Sequence, residues 1–273
     1  MKIKILYEDA NILAIDKPSG ILVHPAPEQV RYEAGSDKKT IIDIFKKKYP
    51  KLEIVHRLDK ETSGVMLLAK NQKAHEFLKN QFSAPALRLK TKSGLADKQN
   101  RINKTYIAIV NGWVKNDYNT INKPIGRSPS DFRRRLAGRG ARGELREAIT
   151  EYKVLKRFET KAEPQKIFYA RESQPVLREG RSAKKSSGVP LKFTYLEIYP
   201  KTGRTHQIRV HMKFINHPVV CDSLYNSNGP CPKGLNRLAL HAKSIEFKNL
   251  KGKIIKVESL LPKEFEKVLK LQK

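Results

Sequence analysis

The chain of 273 residues has two cysteines, Cys221 and Cys231, with no CxxC pair between them. They cannot build a disulfide framework and read as two ordinary thiols of a reducing cytosol. The nearest histidine, His217, lacks the paired-ligand spacing of a zinc site, so no metal is expected. No apolar run approaches the ~18 residues of a spanning helix, and no charged-then-apolar signal peptide opens the chain. A membrane partner is therefore not expected, and a cytoplasmic location is. The sequence also lacks a Walker GxxxxGK[ST], a GxGxxG and an HExxH, so nucleotide hydrolysis, dinucleotide chemistry and zinc hydrolysis lose their usual support. His75-Glu76 has the wrong spacing for a zinc deaminase, and no PCxxC follows it. Acidic residues are few: 27 Asp and Glu stand against 56 Lys and Arg, a formal charge of +29. That imbalance asks for a polyanion, and nucleic acid fits it best.

A hydrophobic content of 39% is enough for a buried core, in one large domain or two fused subdomains. Residues 3–7 and 12–16 read as strands joined by a polar turn, and Lys17-Pro18-Ser19-Gly20 breaks the second. Thr40 is placed to cap a helix over 41–48, and the apolar spacing predicts another over 71–82. Strands follow at 65–69, 105–110, 148–158, 193–199, 208–210, 238–241 and 244–247, with a short helix over 262–271. Three basic stretches interrupt them, near 83–103, 127–146 and 171–192. In the second, seven arginines meet only Asp131 and Glu144. Many strands, few helices and no strand–helix alternation or repeat argue for an α+β fold with a largely antiparallel sheet.

The segment HRLDKETSG, 56–64, carries the first candidate chemistry. In an extended chain Leu58 points to the core while Arg57 and Asp59 share the other face. Thr62, Ser63 and Gly64 then offer hydroxyls and a tight turn to fix the loop that carries Asp59. An isolated arginine–aspartate pair reads more readily as a surface ion pair. Two later segments shift that balance. In NKTYIAIVNG, 103–112, Tyr106 faces opposite to Ile107 and could lie over the sheet as a stacking platform or proton acceptor-donor, although standing alone it reads more readily as half-buried strand packing. In KTGRTHQIRVHM, 201–212, strand alternation sets Gln207, Arg209 and His211 against Ile208, Val210 and Met212. A buried arginine there needs a carboxylate, and Asp59 is the natural candidate.

These segments together resemble the RluA family of RNA pseudouridine synthases. HRLDKETSG matches its HRLDxxTSG signature, KTYIAIV its tyrosine strand, GRTHQIRVHM its arginine strand and RLALHA, 237–242, its leucine segment. ILYEDANILAIDKPSGILVHP, KPIGR and REAITEYKVL extend the likeness over most of the chain. The resemblance implies the pseudouridine synthase fold, with a catalytic cleft across the sheet, and an isomerase that turns uridine into pseudouridine without metal or cofactor. By the same resemblance Asp59 is the required aspartate, Tyr106 stacks on the target base and Arg209 pairs with Asp59. Arg57 fills the gap left by a flipped nucleotide, and Leu240 lines the pocket. His56, Thr62, Arg204, His206 and Gln207, within the matched motifs, are expected on the RNA-binding side. Asp59 could attack C1′, add to C6 of the ring or take a proton from C2′. The expected partner is a structured ribosomal or transfer RNA, bound by a monomer. Relatives often carry an S4-type domain ahead of the catalytic one; the chain starts on the hairpin, so the three basic stretches are expected to grip phosphates instead.

Overall fold

The computed structural model describes residues 3–24, 39–83, 101–160, 162–163 and 190–270. In chain order the first elements are β1 (Lys4–Glu8), β2 (Ile12–Lys17), α1 (Ile41–Lys46), β3 (Glu53–Ile54), β4 (Ser63–Ala69) and α2 (Gln72–Ser83). β5 (Asn103–Asn111), β6 (Tyr118–Asn122), β7 (Ile125–Arg127), β8 (Arg135–Ala137), β9 (Arg142–Arg146), β10 (Ile149–Thr160) and β11 (Ala162–Glu163) follow. The last are β12 (Leu191–Pro200), α3 (Gln207–Phe214), β13 (Cys231–Pro232), β14 (Leu240–Lys248), β15 (Ile254–Glu258) and α4 (Lys263–Lys270).

Eight strands form one path in the order β1-β2-β4-β14-β5-β12-β10-β6, with β15 added beside β14 and β3 beside β4. All pairings on it are antiparallel except β4 with β14, where Ser63 lies opposite His241 and Gly64 opposite Ala242. The α+β expectation is therefore met. The parallel pair lies mid-sheet and marks the functional end of the strands.

β4 reads SGVMLLA because it is covered on both faces, and all seven of its residues are buried. Val65, Leu67 and Ala69 pack with Ala74 and Leu78 of α2, while Met66 and Leu68 pack with Ile41 and Phe45 of α1 and with Leu58. Each such leucine withdrawn from water contributes about 2 kcal/mol. Thr40 caps α1 as expected, in a reciprocal capping box with Asp43. Two further amide donors of that helix end, Ile41 N and Ile42 N, bond to the carbonyls of Leu22 and Val23. The apolar stretch at 21–23 thus serves as a helix docking edge.

Three expectations change. Residues 208–210 are not a strand but the middle of helix α3, in which Gln207, Ile208, Arg209, Val210, His211 and Met212 are all buried. Residues 127–146 are ordered: β7, β8 and β9 make a separate three-stranded sheet. Cys221 and Cys231, read from sequence as two unrelated thiols, lie with their sulfurs in contact, close to the bridge that Val219 makes with β5. The other two basic stretches fall mainly at 84–100 and 164–189, outside the described residues.

Candidate active site

Asp59 sits in the loop between β3 and β4, at the parallel end of the sheet, and this loop is held from behind. Thr62 N–H closes a turn onto the Asp59 carbonyl at 3.1 Å. Lys17, fully buried, aims its ammonium at the carbonyls of Pro18, Lys60 and Thr62 at 3.0, 3.1 and 2.8 Å. Three protons thus meet three acceptors. Ser19 Oγ bonds the Glu61 carbonyl and Gly20 N–H the Lys60 carbonyl. Burial, opposed by the charge of Asp59, draws the Lys17 ammonium down to about 7. The segment Lys17-Pro18-Ser19-Gly20, read from sequence as a strand breaker, is a clamp on the loop that carries Asp59. Its only advance signal was a lysine opening the breaker directly after the predicted strand.

The β4 end of the loop is fixed as firmly. Gly64 has φ +111°, and a Cβ there would run into the Ala242 backbone, so only glycine lets β4 and β14 approach. Ser63 Oγ accepts from Arg237 Nη2 at 2.6 Å and faces His241 Nδ1 at 2.8 Å. These bonds tie the start of β4 to the segment leading into β14.

Arg209 reaches Asp59 Oδ2 through Nη1 at 3.3 Å, as the sequence suggested, but its main partner is another carboxylate. Asp222, fully buried, accepts both Arg209 Nε and Nη2 at 2.7 Å in a bidentate pair. Glu61 stands 3.5 Å from Nη2. Asp222 also caps its own turn, accepting from the N–H of Leu224 and Tyr225. Asp59 is thus one partner, as expected, but not the main one: Asp222 anchors the guanidinium and Asp59 borrows its outer edge. The ion pairs outweigh burial and raise the Arg209 pKa further, so it stays charged.

A cleft of about 660 Å³ opens in front of Asp59 and is lined by ten of the residues singled out from sequence: Arg57, Asp59, Tyr106, Arg209 and Leu240 among them. Tyr106 lies on β5 opposite Ala242 and Ile198, and burial, with the nearby charge of Asp59, pushes its phenol up. Arg57 is exposed, and its Nη2 donates to Thr205 Oγ1 at 3.4 Å. Leu240 is buried at the start of β14.

Other members of the set serve the frame. His56 Nε2 accepts the Leu67 N–H of β4 at 2.9 Å, its ring lies 4.5 Å from that of Phe82, and burial lowers it to about 3. Gln207 spends its whole amide: Oε1 accepts from Thr202 Oγ1 and Arg204 N, and Nε2 donates to Ile149 O and Thr150 Oγ1. Arg204 Nε donates to the Glu147 carbonyl, and its side chain borders a second cavity of about 410 Å³ beside β7 and β9. Thr62 Oγ1 is buried at the cleft without a hydrogen-bond partner among the described residues. His206 takes a left-handed backbone, φ 57°, at the start of α3, and its Nε2 stands 3.8 Å from Asp59 Oδ1.

A profile for RNA pseudouridylate synthases matches residues 11–214, which contains Asp59, Tyr106 and Arg209. The chain belongs to the RNA pseudouridylate synthase family. Members of this family are isomerases that convert uridine in RNA to pseudouridine. An RNA pseudouridine synthase of Aquifex aeolicus is 35% identical over 85% of this chain and 59% of its own length. One from Bacillus subtilis is 30% identical over 98% and 72%. The ribosomal large subunit pseudouridine synthase D of Xanthomonas campestris is 30% identical over 98% and 68%. The fold matches the structure of human RNA pseudouridylate synthase domain containing 1, with a TM-score of 0.64 at 21% identity, over 96% of this chain and 84% of that one.

Proposed function

We propose that this synthase acts on a structured ribosomal or transfer RNA, taking the target uridine out of its stack into the cleft before Asp59. The reaction breaks N1–C1′, turns the base, forms C5–C1′ and releases the C5 proton, so it needs the base free of the helix. The observation that carries this reading is the asymmetric hold on Asp59. Oδ2 rests on Arg209, itself anchored by Asp222, while Oδ1 has His206 Nε2 at 3.8 Å, both residues lining the cleft. A fixed, partly exposed carboxylate suits attack on C1′, addition to C6 or removal of the C2′ proton alike. Tyr106 supplies the platform for the uracil and a phenol for the C5 proton. Exposed Arg57, at the mouth of the cleft, suits the gap that the extruded nucleotide leaves.

The names of the Xanthomonas relative and of others like it favour large-subunit ribosomal RNA as the target. The exposed arginines of β7 to β9, beside the second cavity, suit the backbone of that RNA. Asp59→Asn should abolish tritium release from [5-³H]uridine-labelled RNA of cells lacking the gene, with RNA binding retained. Release at the wild-type rate would remove Asp59 from the mechanism. Tyr106→Phe should bind RNA but yield little pseudouridine; full turnover would refute the proton-transfer role. Mapping pseudouridines in total RNA with and without the gene identifies the target, and a site outside ribosomal RNA would overturn the favoured class.

A further inference from the structure

Tyr225 is absent from the motifs that identify the family, yet it touches both groups that flank Asp59. Its turn is folded on Asp222, whose Oδ1 accepts both the Tyr225 N–H and Arg209 Nη2. The buried ring lies under the Arg209 guanidinium, 5.2 Å from its carbon to the ring centre. It also meets the His206 imidazole edge-on, at 5.6 Å and 82°. Among the described residues two groups reach its hydroxyl: the backbone N–H of Arg135 on β8 at 2.9 Å and His206 Nδ1 at 2.9 Å.

The proton count at that hydroxyl is decisive. The Arg135 amide can only donate, so the oxygen accepts there and its own proton is left for His206 Nδ1. Were Nδ1 the donor instead, the buried phenolic proton would have no partner among the described residues, a loss of about 1–3 kcal/mol. Burial lowers the His206 pKa, which favours neutral imidazole with its single N–H on Nε2. That N–H stands 3.8 Å from Asp59 Oδ1, about 0.8 Å beyond hydrogen-bond length. His206 holds this position with a left-handed backbone, φ 57°, unusual for a residue with a side chain.

We propose that Tyr225 is a positioning residue for the isomerisation: its hydroxyl holds His206 in the tautomer whose Nε2–H faces Asp59 Oδ1, while its ring supports Arg209 on Oδ2. The proposal rests on reading Asp59 as the carboxylate that carries the reaction. In the other tautomer a nitrogen lone pair would face Oδ1 and repel it. The same hydroxyl takes a backbone N–H of the arginine-bearing sheet, so that sheet is joined to the imidazole through one oxygen.

The test is ¹⁵N chemical shifts of the His206 ring in the full-length protein, alongside tritium release from [5-³H]uridine-labelled RNA. Wild type should carry its proton on Nε2, and a proton on Nδ1 overturns the proposal without any variant. Tyr225→Phe keeps the ring and should lose the tautomer preference, with kcat down about tenfold and KM for RNA unchanged, the usual scale for a supporting shell. An unchanged tautomer overturns it, whether kcat holds or falls together with thermal stability. Asp59→Asn separates the two readings. If that variant still releases tritium, the reading of Asp59 fails; if it is inactive while Tyr225→Phe turns over normally, only the role of Tyr225 fails.

Discussion

Arg209 faces three carboxylates, and they differ in what they should do when removed. Asp222 is fully buried and bidentate, whereas Asp59 is about one-fifth exposed and touches one nitrogen at 3.3 Å. Breaking a buried pair leaves an uncompensated charge, at a cost of about 3–5 kcal/mol. Asp222→Ala should therefore lower the unfolding free energy from urea titration by that amount, with a lower midpoint at unchanged slope, while Asp59→Asn should leave the midpoint nearly unchanged and remove turnover. Equal midpoint shifts for the two would refute this division of labour. Lys17 belongs with Asp222. Lys17→Met strips three carbonyls of their donor and should loosen the 60–62 turn, seen as faster amide exchange at Thr62 without loss of the main sheet. Neither residue was legible as a partner. Asp222 lies 163 positions from Asp59 in a segment without motif, and Lys17 looked like the first residue of a strand breaker. The residues that touch the cleft were legible because their spacing is local; the ones that hold them are set by long-range folding.

At the scale of elements, α3 shows why pattern reading failed where it did. Gln-Ile-Arg-Val-His-Met alternates polar and apolar residues, the period of a strand. All six are buried, so neither face needs to be apolar, and each polar group is paired inside: Gln207 with Ile149 and Thr150, Arg209 with Asp222, His211 with Thr150 and the Lys123 carbonyl. Burial on all sides erases the periodicity that distinguishes helix from strand. β4 escaped that ambiguity because its apolar run is short and follows a turn. It also carries a pH dependence. His56 accepts the Leu67 N–H and stays neutral in the fold down to about 3, against an ordinary value of 6.5. Between those values the unfolded chain binds the extra proton, so stability is full above about 6.5 and falls as the pH drops toward 3. His241, lowered to about 4 by burial and Arg237, adds to the same slope. His56→Gln keeps an acceptor for Leu67 but cannot titrate. Its melting temperature should vary less from pH 7 to pH 4 than wild type, and an equal slope would place the acid sensitivity elsewhere.

For the whole molecule the excess of +29 was the plainest signal in the sequence, but composition could not say where the charge would lie. Part of it is carried by the three-stranded sheet of β7 to β9, a region that reads as irregular from sequence because three short strands in a stretch with seven arginines offer no apolar alternation. Its order comes from its back instead: Ile125 and Ala137 pack against Val210 of α3 and Tyr225. Arg127, Arg139 and Arg142 remain exposed on it, whereas Arg146 is engaged with Glu144. Charges that meet phosphate release counterions, so each contact contributes about 0.7 to the salt slope on single strands and about 0.9 on duplex. Changing Arg127, Arg139 and Arg142 together to alanine should lower the slope of log affinity against log salt by about 2 to 3 if all three touch backbone. Binding should weaken to a similar degree on target and non-target RNA, because phosphate contacts carry no sequence information. Fluorescence titrations between low and physiological salt read both quantities. An unchanged slope would move the RNA off this sheet, and a loss confined to the target RNA would mean that the arginines read shape or bases rather than backbone.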